Sequence, residues 1–451
     1  MKQPIIYTLL FALLTASGCS FIANANEQPE KKVSDESSFY DVKMETKIEE
    51  YDAYHITIHY PQTSNNQIDQ TIVDYVNQQK ARFKKESYRS KRSSEVQGSH
   101  ELHIDFEVIH QNARFFVLRF IETMDIGGEE LITDQTVMNF DKKIGKNLNI
   151  GELFKDNIYY VDRLHEWTIE KLEENESEYE QTFKGLEATP ETYENIALLN
   201  DGIMVYLENP ENKETVEVFL KLDKVSSLLR SNYVKAIDQL TEKDQEADIV
   251  KESISSGEMN NSFIDKNLNS NEKKVALTFD DGPHPKVTTK ILDILDQHEV
   301  KASFFMIGKR VSYYPAIARE VGIRGHEIGN HTWNHPRLNR LRAAEIDHQI
   351  SSTQRIIEQV TGQHSDLVRL PFGEPASIAY NGDLNAVPWT IYSEKWREQE
   401  PVTIVQDILS QAEDGSIILL HDLENYTVET VDLLLERLNS EGYQVVPVGE
   451  L

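Results

Sequence analysis

The chain has 451 residues, 39% of them hydrophobic, with 17 Phe and 19 Tyr and a formal charge of −30. That length exceeds one ordinary core, so two folding units are expected, and the aromatic content excludes a disordered chain. With 46 Lys and Arg against 76 Asp and Glu, nucleic acid and anionic lipid are excluded as partners reached by charge.

At the N-terminus Lys2 precedes an apolar run from Ile5 to Leu14, followed by small residues. The run is short for a bilayer span, so residues 1–25 read as a cleaved export segment. Two cleavage patterns overlap. Ala16-Ser17-Gly18-Cys19 resembles a bacterial lipobox in which Cys19 would carry lipid, although Ala16 stands where Leu or Val is preferred. Ala23-Asn24-Ala25 is a small-x-small site for ordinary signal peptidase. Cys19 is the only Cys, so it has no intramolecular disulfide partner. The lipoprotein reading is preferred. It predicts an exported protein at the outer face of the membrane or in the wall, touching membrane only through Cys19. Residues 26–37 are a polar tether without periodicity.

Residues 38–240 are expected to form an α+β accessory domain. Leu102, Ile104, Phe106 and Val108 alternate with polar residues, as do Val216, Val218, Leu220 and Leu222, which reads as half-buried strands. Helices are predicted over Gln67–Lys85 and Tyr160–Glu174, without regular strand–helix alternation. His55, His59, His103 and His110 lie in strand-like runs without ligand spacing and read as structural histidines. Residues 241–272, charged and then rich in Asn and Ser, read as a linker.

From residue 273 to 451 the rhythm becomes strand–helix–strand. Strands are predicted at Val275–Asp280, Ala302–Ile307, Glu327–Asn330, Leu367–Leu370, Ala386–Ile391, Ser416–Leu420 and Tyr443–Val448. Helices are predicted between them, including Ala343–Val360 and a last one with Val428, Val431, Leu434, Leu435 and Leu438 on one stripe. Such alternation implies a parallel sheet or an α/β barrel.

In these folds the reacting groups sit at the C-terminal ends of strands. Asp280 and Asp281 end the first strand. His331 follows the third, Arg369 ends the fourth, and His421 and Asp422 follow Ser416–Leu420. Two adjacent acids in a tight turn repel each other unless a cation neutralises one. His331-Thr-Trp-Asn-His335 spaces two imidazoles four apart, which on a helical turn would project them from one face. Two His and one carboxylate suit catalytic zinc and also nonhaem iron.

Together Thr278-Phe279-Asp280-Asp281-Gly282-Pro283, His331-Thr-Trp-Asn-His335, Arg369-Leu370-Pro371-Phe372-Gly373 and Leu419-Leu420-His421-Asp422 resemble the first, second, third and fifth motifs of NodB-type polysaccharide deacetylases, carbohydrate esterase family 4, in that family's order. The resemblance implies a distorted (β/α) barrel at the C-terminus. The preceding part is similar to the accessory domain of exported Gram-positive peptidoglycan deacetylases. It further implies that Asp281, His331 and His335 hold a divalent metal, with Zn2+ the first choice. Asp280 would be general base, held by Arg369, and His421 general acid. The Phe372 N–H would face the oxyanion, Leu419 the acetyl methyl, and Trp396 would form a wall, with Trp333 a stacking surface. The implied substrate is peptidoglycan or a related N-acetylated glycan.

Two departures stand out. The fourth family motif resembles Asp-Ser-x-Asp-Trp, whereas Tyr392-Ser393-Glu394-Lys395-Trp396 lacks both aspartates and sets Lys395 where a partner of Arg369 is expected. The stretch between Phe372 and Trp389 is short, so a family helix is expected to be trimmed. Besides an N-deacetylase, the sequence therefore leaves open a wall-binding lipoprotein with a weakened catalytic domain, and an O-acetyl esterase on the same scaffold.

Overall fold

The structure is a computed structural model and describes residues 41–51, 53–93, 99–128, 131–155, 159–174, 183, 186–209, 215–238, 273–373 and 384–451. The export segment with Cys19, the tether, the linker and most of the stretch after Gly373 lie outside the described residues. Among the described residues no helix is long and apolar enough to cross a membrane.

Among the described residues nine strands precede residue 240. Six of them, β1 (Val42–Tyr51), β2 (Tyr54–Thr63), β3 (His100–Gln111), β4 (Phe115–Asp125), β5 (Ile132–Asp141) and β6 (Lys146–Leu148), form one sheet in sequence order. All neighbours are antiparallel except β2 and β3. A parallel pair needs a crossover, and the helix Asn66–Ser93 supplies it. This helix runs beyond the predicted Gln67–Lys85. Strand alternation splits the sheet into two faces. Ile56, Ile58, Leu102, Ile104, Phe106 and Phe120 lie in a common core with Ile68, Ile72 and Phe83 of the helix. Three shorter strands, β7 (Ile196–Leu198), β8 (Gly202–Glu208) and β9 (Thr215–Lys221), form a second antiparallel sheet. The α+β expectation holds for this part.

The C-terminal sheet is parallel throughout and is ordered β14 (Asn385–Ala386), β13 (Leu367–Val368), β12 (Glu327–Asn330), β11 (Ser303–Met306), β10 (Lys273–Asp280), β16 (Ser416–His421) and β15 (Ile391–Tyr392). β17 (Tyr443–Val446) pairs with the first half of β10. The result is a curled half-barrel flanked by helices. The run predicted over Ala386–Ile391 is two two-residue strands, and the fourth strand stops at Val368 rather than Leu370.

β10 is central, and every residue from Val275 to Asp280 is buried. Val275, Leu277 and Phe279 are buried in one core with Ile291 and Leu295 of the helix Val287–Gln297 and with Val431, Leu434, Leu435 and Leu438 of the helix Asn425–Ser440. Fully buried strands of this kind read as continuous hydrophobic runs. Truncating Phe279 to Ala would cost about 3–5 kcal/mol. Register then aligns the strand ends: Asp280 lies opposite Phe305 on one side and His421 on the other, and Asn330 lies opposite Met306 and Val368.

Candidate metal and active site

The strand ends bring the predicted residues together. Asp281 leaves β10 in a left-handed conformation, φ 75°, which turns its carboxylate toward the chain that follows β12. One ligand atom each from Asp281, His331 and His335 lies within 4.8 Å of the others, and all three residues are buried. His331 Nε2 is 3.4 Å and His335 Nε2 3.6 Å from Asp281 Oδ1. That same Oδ1 is buried without a hydrogen-bond partner among the described residues. A lone oxygen facing two imidazole nitrogens fits a cation, and carboxylate with imidazole is a zinc-compatible donor set.

The ring tautomers agree with this. His331 Nδ1 is 2.7 Å from the Arg369 carbonyl, so it carries the proton and leaves Nε2 as a lone-pair donor. Burial holds His335 well below the usual histidine range, hence neutral. Burial opposes ionisation of Asp281 too, but His335, His331 and His421 outweigh it and keep the carboxyl well below its usual range. Burial likewise opposes protonation of His331, yet Asp280 and Asp281 raise its pKa.

Asp280 stands on one side of this group. Its Oδ2 is 3.7 Å from His331 Nε2, while its Oδ1 accepts from Arg369 Nη1 at 2.8 Å. His421 stands on the other side, with Nε2 3.9 Å from Asp281 Oδ2 and a quarter of its side chain exposed. Base candidate, ligand set and acid candidate are thus contiguous.

A cleft of about 60 Å³ opens here, lined by Asp281, Tyr392, Trp396 and His421 together with Thr46, Ile48 and Glu50 of β1. Burial raises the Glu50 carboxyl against the pull of His421. A larger cavity of about 360 Å³ lies behind the ligand turn, between β3–β4 and the helix Ala343–Thr361, and contains none of the three ligands.

Several sequence expectations change. His331–His335 is not a helical turn. Thr332 and His335 have φ of 65° and 61°, and the imidazoles meet by backbone reversal, ring centroids 5.0 Å apart. Left-handed conformation costs an L-residue about 1–2 kcal/mol, most clearly a β-branched one such as Thr332. Phe372, φ 58°, packs its ring against His335 at 4.6 Å. Trp333 packs against Gly308 rather than lining the cleft. Leu419 is buried between Thr278 and Tyr392 and is also not among the cleft-lining residues. Lys395 is exposed whereas Arg369 is buried, so their side chains part. Arg369 Nη2 is left buried without a partner among the described residues, where a fourth-motif carboxylate would have served it.

The largest omission concerns the first sheet. Thr46, Ile48 and Glu50 pair with His59, Thr57 and His55, and Thr57 pairs with His103, so these residues share one face with Asp105. That face lies on the site. Thr57 Oγ1 is 3.3 Å from His335 Nδ1, and the His55 ring stacks on Phe372 at 4.6 Å. The Nε2 atoms of His59 and His103 lie 3.0 and 2.8 Å from the Asn334 carbonyl. Asp105 accepts from Asn334 Nδ2 at 2.7 Å and pairs with Lys309. None of the four histidines read as structural is in the ligand group, but His59 and His103 touch the turn that carries it and His55 packs on Phe372, whereas His110 meets Asn112.

Known proteins match in the same places. The polysaccharide deacetylase family pattern covers residues 267–387. The peptidoglycan-N-acetylmuramic acid deacetylase PdaC of Bacillus subtilis is 28% identical over 93% of this chain and 90% of its own. The peptidoglycan-N-acetylglucosamine deacetylase PgdA of Listeria monocytogenes is 36% identical over 40% of this chain and 39% of its own. A chitooligosaccharide deacetylase of Azorhizobium caulinodans is 37% identical over 34% of this chain and 76% of its own. A solved structure of PdaC is 38% identical over 41% of this chain and 91% of that one, with a TM-score of 0.39. The chain spans 76% of that chitooligosaccharide deacetylase at 37% identity, and with the motif residues converging as described it belongs to the polysaccharide deacetylase family.

Proposed function

We propose that this protein is an exported, metal-dependent hydrolase that removes N-acetyl groups from peptidoglycan amino sugars. The observation that carries the reading is the buried Asp281–His331–His335 group with Asp280 and His421 on either side of it. A divalent cation held there, zinc by donor type, supplies Lewis acidity toward an acetamide carbonyl and acidifies a water. Asp280, anchored by Arg369, takes the proton from the attacking water. His421, at the open edge of the cleft, gives a proton to the leaving amine. The Phe372 N–H and the wall formed by Trp396 keep the roles that the family resemblance assigns them, whereas Leu419, buried outside the cleft lining, does not. The export signal and lipidation at Cys19 remain part of the proposal, as does the division into an accessory domain over 38–240 and a catalytic domain over 273–451.

The test is amine release from peptidoglycan and from chitooligosaccharides by purified protein, with and without added metal. Glycans rich in N-acetylmuramic acid and in N-acetylglucosamine should both be offered, since the relatives divide between these sugars. Metal-loaded protein that stays inert on all of them would overturn the reading. Arg369 Nη2, without a partner among the described residues, favours a second reading, a wall-binding protein with weakened catalysis. Glycan affinity that survives Asp280→Asn, in a protein without turnover, would select it.

A further inference from the structure

The two imidazoles of the ligand group are held in different ways. His331 leans on a carbonyl of its own sheet, that of Arg369. His335 leans on Thr57, 278 positions away on β2 of the other sheet. With Nε2 directed at Asp281, Nδ1 of His335 carries the proton and donates it to the Thr57 hydroxyl oxygen. Both residues are buried, so water does not compete for that bond. The residue before His335 is held equally firmly. The Asn334 carbonyl receives Nε2–H from both His59 and His103. The His59 tautomer is set in turn by Thr46, whose hydroxyl donates to Nδ1 at 2.9 Å while accepting from Arg310. The Asn334 side chain donates to Asp105 and accepts from Gln349 at 2.7 Å each.

A turn with two left-handed non-glycine residues persists only where its surroundings over-determine it. Here the determinants come largely from one polar face of the N-terminal sheet. The geometry points to that face as a positioning element of the metal centre: Thr57 fixes the direction and tautomer of His335, and the His59–His103–Asp105 cluster fixes the Asn334 corner that carries it. This rests on the metal-centre reading above. It makes the N-terminal sheet part of the site rather than a separate wall-binding attachment. Groups that orient ligand imidazoles typically change metal affinity 10–100-fold when removed.

The test uses the full chain. Thr57→Val keeps the side-chain shape and removes the hydroxyl, while Thr57→Ser keeps the hydroxyl. Zinc affinity is measured by chelator competition, the cobalt-substituted protein by visible absorption, and the metal-free protein by thermal melting. Thr57→Val should bind zinc at least tenfold more weakly and shift the cobalt spectrum, with the metal-free melting temperature close to wild type. Thr57→Ser should restore both metal readouts. Asp105→Asn, which weakens the hold on Asn334, should move affinity in the same direction. If wild type binds zinc and Thr57→Val binds it equally, with an unchanged cobalt spectrum, the inference is overturned while the metal reading stands. If Thr57→Val binds more weakly only because its metal-free fold is lost, and Asp105→Asn binds like wild type, the inference is overturned as well. If wild type binds no divalent metal, the underlying reading itself fails.

Discussion

Arg369 reaches Asp280 through a single nitrogen, Nη1 to Oδ1 at 2.8 Å, and the same Nη1 also donates to Thr278 at 2.8 Å. Nε donates to the Val387 carbonyl at 3.0 Å, and the guanidinium lies 4.0 Å over the Phe305 ring. The planar fork is therefore used for position as much as for charge. Lysine offers one point charge and cannot meet Val387, Thr278 and Asp280 together.

Arg369→Lys should accordingly lower kcat by about 10²-fold, a typical share for a positioned general base, while the metal content stays that of wild type. Arg369→Met should also destabilise the fold by about 3–5 kcal/mol, because it leaves the Asp280 carboxylate buried and unpaired. Steady-state rates, metal stoichiometry and denaturant melts separate the two effects. Full activity in Arg369→Lys would show that Asp280 does not depend on the fork.

Asp280 and Asp281 are adjacent but are expected to fail differently. Chelation should abolish turnover in wild type and readdition of zinc should restore it. Zinc at 100 times its Kd should raise unfolding free energy by about 2.7 kcal/mol. Asp280→Asn should lose turnover and keep that stabilisation, whereas Asp281→Asn should lose both. Melting curves with and without zinc check this, and the reverse pattern would exchange the two roles.

The C-terminal half was legible because a parallel sheet delivers its chemistry to strand ends, so Asp280, His331, Arg369 and His421 could be aligned from sequence alone. The turn at His331–His335 was misjudged because local spacing suggests a helix, whereas long-range contacts hold Thr332 and His335 at positive φ. The first sheet's role was hidden because His55, Thr57 and His59, like His103 and Asp105, alternate with Ile and Leu. Alternation of this kind reads as one buried and one solvated face. Only the docking of the two sheets shows that the polar face is buried as well. A signal did exist: the supposed solvent face of β2 and β3 carries His55, Thr57, His59, Glu101, His103, Asp105 and Glu107, with no lysine among them.

Buried neutral histidines make stability sensitive to acid. Burial lowers His326 from its ordinary value of about 6.5 to about 4, and its ring packs against Phe304 at 5.5 Å. Below pH 6.5 the unfolded chain takes up a proton that the folded chain refuses. The stability tied to a neutral His326 is thus complete above pH 6.5 and is lost as pH falls toward 4, by about 3 kcal/mol in all. His59, lowered by burial to about 3, acts in the same direction. Burial of Asp422 raises its pKa to about 7 and opposes the trend over the same range. Urea melts of metal-free protein at pH 7 and pH 5 should show a smaller difference in His326→Phe than in wild type. At pH 7 His326→Phe should be less stable by about 1 kcal/mol through loss of the Ala302 N–H bond, and at pH 5 that gap should close or reverse, because only wild type loses the His326 contribution. Equal slopes in the two proteins would mean that His326 is protonated in the folded state.

Gly329 joins packing to catalysis. It lies opposite Phe305 across β11 and β12, and a Cβ at this position would come within 2.4 Å of the Phe305 ring. That ring is the surface on which Arg369 rests. Gly329→Ala must therefore displace the ring toward the guanidinium or push β12 outward, and either route moves a group next to Asp280 or His331. Overpacking of this sort costs about 1–3 kcal/mol. A matched control is Ile291→Val, a change in the core between the C-terminal sheet and its helices, away from the strand ends, which should cost about 0.5–1.5 kcal/mol. Rates at a temperature where both variants remain folded should be near wild type for Ile291→Val and at least tenfold lower for Gly329→Ala. A proportionate loss in the two variants would show that activity follows global stability, and that the Phe305–Arg369 contact has no separate part in holding the base.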